Sequence, residues 1–258
     1  MTKGTTFHGF VPIMHEPDHT TQMISQLLFG EEFILLERNG DWLKISLHFD
    51  GTEGWVRKEL VEVQEVENGQ EKGVSAGIRI ATLPFATILD LTLGQQLIIP
   101  AGAIWNSKAG NSLNWYGHDF ELISSEGFNI PGLNADPLEI GKRLTSIPYV
   151  PGGRSGFGFD GAGLAQMLCR MMGKKIPRHC QQQAELGNTI NFLYEVEAGD
   201  LAFFDNEESE IIHVGMILED GKILHCSTCV SIDLLDHHGI YSNEKERYTH
   251  KLRVIRRI

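Results

Sequence analysis

Residues 156–173 read GFGFDGAGLAQMLCRMMG, a strand-like entry and a small-residue turn that runs into a helix. A helix start leaves backbone N–H groups unpaired and favours negative charge, so it can hold an anion or a nucleophile. The turn consists of Asp160, Gly161, Ala162 and Gly163. Gly161, the position best placed for chemistry, has no side chain.

The elements around this turn can be read from turn signals and periodicity. Residues 7–63 alternate short apolar runs with turns at Asn39–Gly40 and Asp50–Gly51, and Leu43, Ile45 and Leu47 alternate with polar neighbours. These signals predict a small barrel or sandwich over about residues 1–65. The acidic stretch 62–73 is expected to be a linker or a long loop. A second small all-β unit follows over 74–130. From 134 the texture changes. Asp136–Pro137 opens a helix that closes before Pro148, and a second helix runs from about 161 to 172. Strand-like runs then continue to the C-terminus, with a hairpin at Asp220–Gly221. The expected class is multidomain, with all-β barrels followed by an α+β domain built on an antiparallel sheet.

Four ordered motifs in the last unit, PYVPGGRSGFGFDGAGLAQM (148–167), GDLAFF (199–204), HVGMIL (213–218) and ILHCS (223–227), resemble those of the NlpC-type (NlpC/P60) cell-wall cysteine peptidases. That family has a papain-like fold. The first unit, through GDWLKI and GTEGWV, resembles the bacterial SH3-like barrels that often precede such domains. The combination resembles dipeptidyl-peptidase VI-type enzymes, which cleave between γ-D-glutamate and a diamino acid in stem peptides with a free N-terminal L-Ala.

By this resemblance the nucleophilic Cys falls at Gly161, the general base at His213 and the orienting polar group at His225. Where the family has a tryptophan, this chain has Pro151. The roles fit the chemistry. A thiolate at a helix start attacks the amide, an imidazole moves the proton, and a third group fixes the imidazole tautomer. His213 and His225 flank the predicted hairpin, so paired strands can bring both rings to one face. Asp160 is expected to meet the L-Ala ammonium, with Glu53 and Tyr116 of the barrels as further candidates. Arg154 is assigned to the γ-D-Glu carboxylate, and Tyr149 and Ala162 to the groove.

No other residue is expected to replace the thiol. Cys169 lies eight residues along the helix, about 12 Å up its axis, and reads as core. Cys226 alternates away from His225. Cys226-x-x-Cys229 with the nearby histidines lacks a second ligand pair at zinc-site spacing, so no metal or cofactor is expected. His237–His238 reads as a solvated loop.

The chain has 258 residues and a formal net charge of -12. That balance argues against nucleic acid and anionic lipid surfaces as partners. No apolar run approaches the roughly 18 residues of a membrane span. Sparse cysteines and the lack of a signal-like N-terminus lead to a cytoplasmic expectation. The expected partner is a peptidoglycan-derived peptide, and the sequence does not set an oligomeric state. Two readings stand at this point: a wall-peptide hydrolase that lacks its thiol, or a non-catalytic muropeptide-binding module. A third, weaker one is a barrel scaffold that docks a protein.

Overall fold

The computed structural model describes residues 1–65, 77–107, 110–133 and 136–258. The first unit comprises β1 (Thr2–Thr5), β2 (Phe10–Met14), β3 (Met23–Leu28), β4 (Glu32–Asn39), β5 (Trp42–Leu47), β6 (Glu53–Arg57) and β7 (Glu62–Glu65). They form one antiparallel sheet ordered β3-β2-β6-β5-β4-β1-β7. Leu43, Ile45 and Leu47 point into a core with Val11, Ile13, Leu27, Phe33 and Val56. Gly40 and Gly51 make the turns on either side of β5 with φ of 58° and 77°. The stretch expected to be a linker begins instead as β7, which pairs with β1. Its remainder, 66–73, lies outside the described residues.

The second unit contains β8 (Ile78–Ala81), β9 (Phe85–Asp90), β10 (Gln95–Pro100), β11 (Ile104–Asn106), β12 (Ser112–Trp115), β13 (His118–Leu122) and β14 (Phe128–Asn129). These make a four-stranded and a three-stranded sheet around Phe29, Ile88, Trp105 and Phe120. Phe29 comes from the first unit, so the two β units share this core.

In the third unit, α1 (Pro137–Leu144) is capped by Asp136, which accepts from Leu138 N. The hairpin β15 (Arg154–Ser155) and β16 (Gly158–Phe159) leads into α2 (Gly161–Met171). A short α3 (Cys180–Gln183) and β17 (Asn188–Ile190) follow. Next come β18 (Leu201–Asp205), β19 (Ile211–Ile217), β20 (Lys222–Cys226), β21 (Val230–Leu235), β22 (Gly239–Ser242) and β23 (Arg247–Arg257). The long β23 pairs with both β18 and β22, so the antiparallel sheet closes on itself. Leu164, Met167, Leu168 and Met171 recur at helical spacing and pack α2 against Val214, Met216 and Leu224 of the sheet.

One buried charge cluster ties the first unit to the third. Glu31 receives Arg154 Nη2, from β15, on one oxygen and Arg170 Nη1, from the end of α2, on the other. Arg154 also donates Nε to Gln26 O at 2.8 Å, and its backbone N donates to Gln26 Oε1 at 3.0 Å. Asp50 accepts from Gln166 Nε2 at 2.8 Å, a second bond between barrel and helix. Burial drives the Glu31 carboxyl pKa upward, and the two guanidiniums more than reverse that, leaving it lowered.

Removing Glu31 strands two buried cations, so Glu31→Ala is expected to cost about 3–5 kcal/mol of stability, read as a lower urea midpoint at unchanged m. Because the folded carboxyl has a lowered pKa, its contribution is present above the ordinary 4.5 and is lost as pH falls through the folded value. The acid-side loss of stability should therefore be shallower in Glu31→Gln. An unchanged midpoint in Glu31→Ala would remove the cluster from the account.

Candidate active site

The site begins where β16 turns into α2. Asp160 is the N-cap, and its Oδ1 accepts from Gly163 N at 2.7 Å. Its Oδ2 accepts from Gly152 N at 3.0 Å. Arg178, almost fully buried in the loop before α3, adds two bonds, Nη1 to Oδ1 at 2.9 Å and Nη2 to Oδ2 at 2.6 Å. Those four bonds fill the carboxylate's acceptor positions. They fix the turn 152–163, but they leave no free lone pair for a substrate ammonium. Gly163 is required here because its α-carbon packs on Gly153 O and Arg154, where a β-carbon has no room.

Gly161 opens the helix and faces β19. A β-carbon built at 161 would stand 3.0 Å from His213 Nδ1, 3.1 Å from its Cε1 and 3.2 Å from Val214 O. Position 161 and the imidazole are thus in van der Waals contact, and a side chain there needs only a few tenths of an ångström of ring movement. On its other side His213 Nε2 meets His225 Nδ1 at 3.0 Å. His225 Nε2 in turn lies 3.0 Å from Asp233 Oδ2, with Ser231 Oγ at 3.3 Å from both.

This chain of contacts sets the tautomers when both rings are neutral. Asp233 accepts, so His225 carries its hydrogen on Nε2 and offers Nδ1 as acceptor. His213 then carries hydrogen on Nε2, which leaves the Nδ1 lone pair aimed at position 161. That is the state a general base needs. Burial, followed by His250 and His225, holds the His213 pKa well below its usual value, so the ring is neutral at pH 7.

The remaining expected residues fall in different places. Tyr149 is exposed at 42%, and burial of its hydroxyl together with the Asp160 charge raises its pKa, so it remains a donor. Ala162 is half-buried, and its carbonyl accepts from Gln183 Nε2 at 3.1 Å. Pro151 is exposed at the turn. Arg154 requires correction: it is 2% exposed and its guanidinium is committed to Glu31 and Gln26, so it cannot meet a substrate carboxylate. Glu53 pairs with Lys44 at 3.6 Å on an exposed strand surface. Tyr116 donates to Glu32 at 3.4 Å, not to Glu53. The barrel residues that reach the site turn are Met23 and Ile24, packed on Gly152, and Gln26, bonded to Arg154.

Asp233, Ser231 and Arg178 escaped the sequence reading. Ser231 pairs across from His225, and Asp233 lies two residues further on the same face. The polar-apolar alternation of VSIDLL carried that signal. Arg178 sits in a loop without periodicity, and its sequence neighbours do not point to Asp160. The cysteines offer no substitute thiol. Cys169 is buried in the helix core with its pKa pushed up to about 12. Cys226 donates to Phe159 O at 3.2 Å, and burial and the Asp160 charge raise it to about 12 as well. Cys180 is also raised, chiefly by burial.

Parts of the chain are similar to known proteins. Residues 146–253 match the NlpC/P60 family, and residues 13–60 match the bacterial dipeptidyl-peptidase Sh3 domain. The chain is 27% identical over 231 residues to the gamma-D-glutamyl-L-lysine dipeptidyl-peptidase of Bacillus subtilis (strain 168), covering 82% of this chain and 75% of that protein. It is 27% identical over 239 residues to the Bacillus cereus protein of the same name, covering 80% and 68%. The crystal structure of an NlpC/P60 family protein from Bacillus cereus superposes with a TM-score of 0.79 over 99% of both chains, at 19% identity, which speaks to the fold alone.

The arrangement makes a direct forecast for Gly161→Cys. A thiol at that position meets a helix start, which favours the anion, and the His213 Nδ1 lone pair, which takes the thiol proton and leaves an imidazolium beside the thiolate. Its iodoacetamide reactivity should titrate below the ordinary value of about 8.5, and adding His213→Ala should move the midpoint back up. A midpoint of about 8.5 in both variants would mean that the ring does not address position 161.

Proposed function

We propose, for a chain that carries an NlpC/P60 domain behind a bacterial dipeptidyl-peptidase SH3 domain and is homologous to gamma-D-glutamyl-L-lysine dipeptidyl-peptidases, that it binds peptidoglycan stem peptides without cleaving them. The observation that carries this reading is the closeness of position 161 to the imidazole, where a β-carbon would stand 3.0 Å from His213 Nδ1, with the His225–Asp233 relay behind it. NlpC/P60 peptidases are cysteine-type hydrolases, and on this reading His213, His225 and Asp233 stand where such a site needs its base and relay, while position 161 has no thiol.

In a thiol-bearing site the steps follow from the positions. The thiolate at 161 attacks the γ-D-glutamyl carbonyl, and N–H groups of the first turn of α2 support the oxyanion. His213 delivers its proton to the leaving amine of the diamino acid, and water then releases the acyl group. Without the thiol, His213 alone would supply only about 10²–10⁴-fold, far short of enzymatic turnover. The turn around Asp160 keeps its shape, because Asp160 is held by four bonds that do not involve residue 161. Binding of wall-derived peptides in the cytoplasm, during turnover or recycling, is the setting we assign.

A dipeptidyl-peptidase counts from a free amino end, so a binding site of that lineage should distinguish free from blocked amines. By calorimetry, L-Ala-γ-D-Glu-L-Lys should bind and its N-acetyl form should bind about 10–100-fold more weakly, the value of one charge-assisted contact. The same peptide should remain intact on prolonged incubation. Equal affinities would remove amino-end recognition, and turnover that survives alkylation of all four cysteines would overturn the non-catalytic reading.

A further inference from the structure

Three imidazoles meet behind position 161. His213 on β19 and His225 on β20 are joined there by His250 on β23, which reaches them because the sheet closes on itself. The ligand-capable atoms of the three lie within 4.8 Å of one another. The His250 ring stacks on His213 with centroids 4.1 Å apart and meets His225 at 5.8 Å, nearly edge-on. A base and its orienting partner account for two of these rings. The third has no place in that chemistry.

We propose that His213, His225 and His250 form a binding site for a late first-row divalent cation of the zinc type, held by His213 Nε2, His225 Nδ1 and one ring nitrogen of His250. Three features support it. The first is spacing. Two nitrogens each about 2.0–2.1 Å from a tetrahedral zinc lie roughly 3.4 Å apart, and His213 Nε2 and His225 Nδ1 already face each other at 3.0 Å. The ion takes the place of the hydrogen they share, and the neutral His213 ring moves that hydrogen to Nδ1. His250 turns in from its stacked position to supply the third nitrogen.

The second is the outer shell. His225 Nε2 donates to Asp233 Oδ2, the carboxylate–histidine arrangement that orients metal-bound imidazoles. Access is the third. His250 is half-buried and lines a cavity of about 540 Å³ with His238, Tyr248, Thr249 and Lys251, and His237 and His238 are exposed beside it. A water on the cavity side would complete a three-histidine site. In the loaded form His213 Nδ1 bears hydrogen, so it presents a donor to position 161, which suits binding and not proton abstraction.

The test is calorimetric titration of the full chain with Zn²⁺ after chelator treatment and alkylation of the cysteines, with Co²⁺ absorption as a second readout. One equivalent should bind and raise the melting temperature. Asp233→Asn should weaken binding by about 10–100-fold, the usual effect of losing an outer-shell partner, and His250→Gln by at least as much. The double substitution His237→Gln with His238→Gln should leave affinity unchanged. Absence of stoichiometric binding would overturn the proposal. So would unchanged affinity in folded Asp233→Asn and His250→Gln, or loss of binding in the His237/His238 variant alone.

Discussion

The buried carboxylate of Glu31 holds the two elements that define position 161. One of its oxygens takes Arg154 from the hairpin before the site, and the other takes Arg170 from the far end of α2. A charge buried this deeply is tolerable only when paired and hydrogen-bonded. Two guanidiniums and the Leu28 N–H, at 2.9 Å, meet that demand. The barrel therefore acts as more than an appendage. It fixes the helix axis at one end and the entering hairpin at the other, and the helix start can move little relative to β19.

The Asp160 cap works on the same turn from the opposite side. Its four bonds draw Gly152, Gly163 and Arg178 around the helix start without using residue 161. The turn therefore holds its form with no side chain at 161. A glycine at the first helical position leaves nothing facing the imidazole, while the cap, the buried ion cluster and the histidine relay hold the surroundings. The relay itself relies on the consecutive pairing of β19, β20 and β21, which places them side by side so that His213, His225 and Asp233 form one line of contacts.

Much of this was legible in the chain, for identifiable reasons. Two-residue periodicity in Leu43, Ile45 and Leu47, and the hairpin at Asp220–Gly221, where both residues take positive φ, are local signals that tertiary packing did not override. His213 and His225 could be paired because one tight hairpin joins their strands. Arg154 was misread because a glycine-flanked arginine looks solvated in sequence, and only the fold brings Glu31, 123 positions away, against it. Arg178 and His250 were missed for the same reason, since their partners are distant in sequence. Asp160 is expected from the sequence to meet the L-Ala ammonium, and the two bonds that Arg178 makes to it depend on the loop before α3, which no local signal ties to Asp160.

On the proposed reading, the site keeps the base and relay of a cysteine peptidase and lacks its thiol. The most direct measurement is cleavage of L-Ala-γ-D-Glu-L-Lys by chelator-treated Gly161→Cys beside the parent chain, with release of L-Ala-γ-D-Glu followed by mass spectrometry. The account predicts dipeptide release by Gly161→Cys, none by the parent, and loss of most of the gained activity on adding His213→Ala. A folded Gly161→Cys protein that carries a reactive thiol, binds the peptide and yet releases no dipeptide would contradict it.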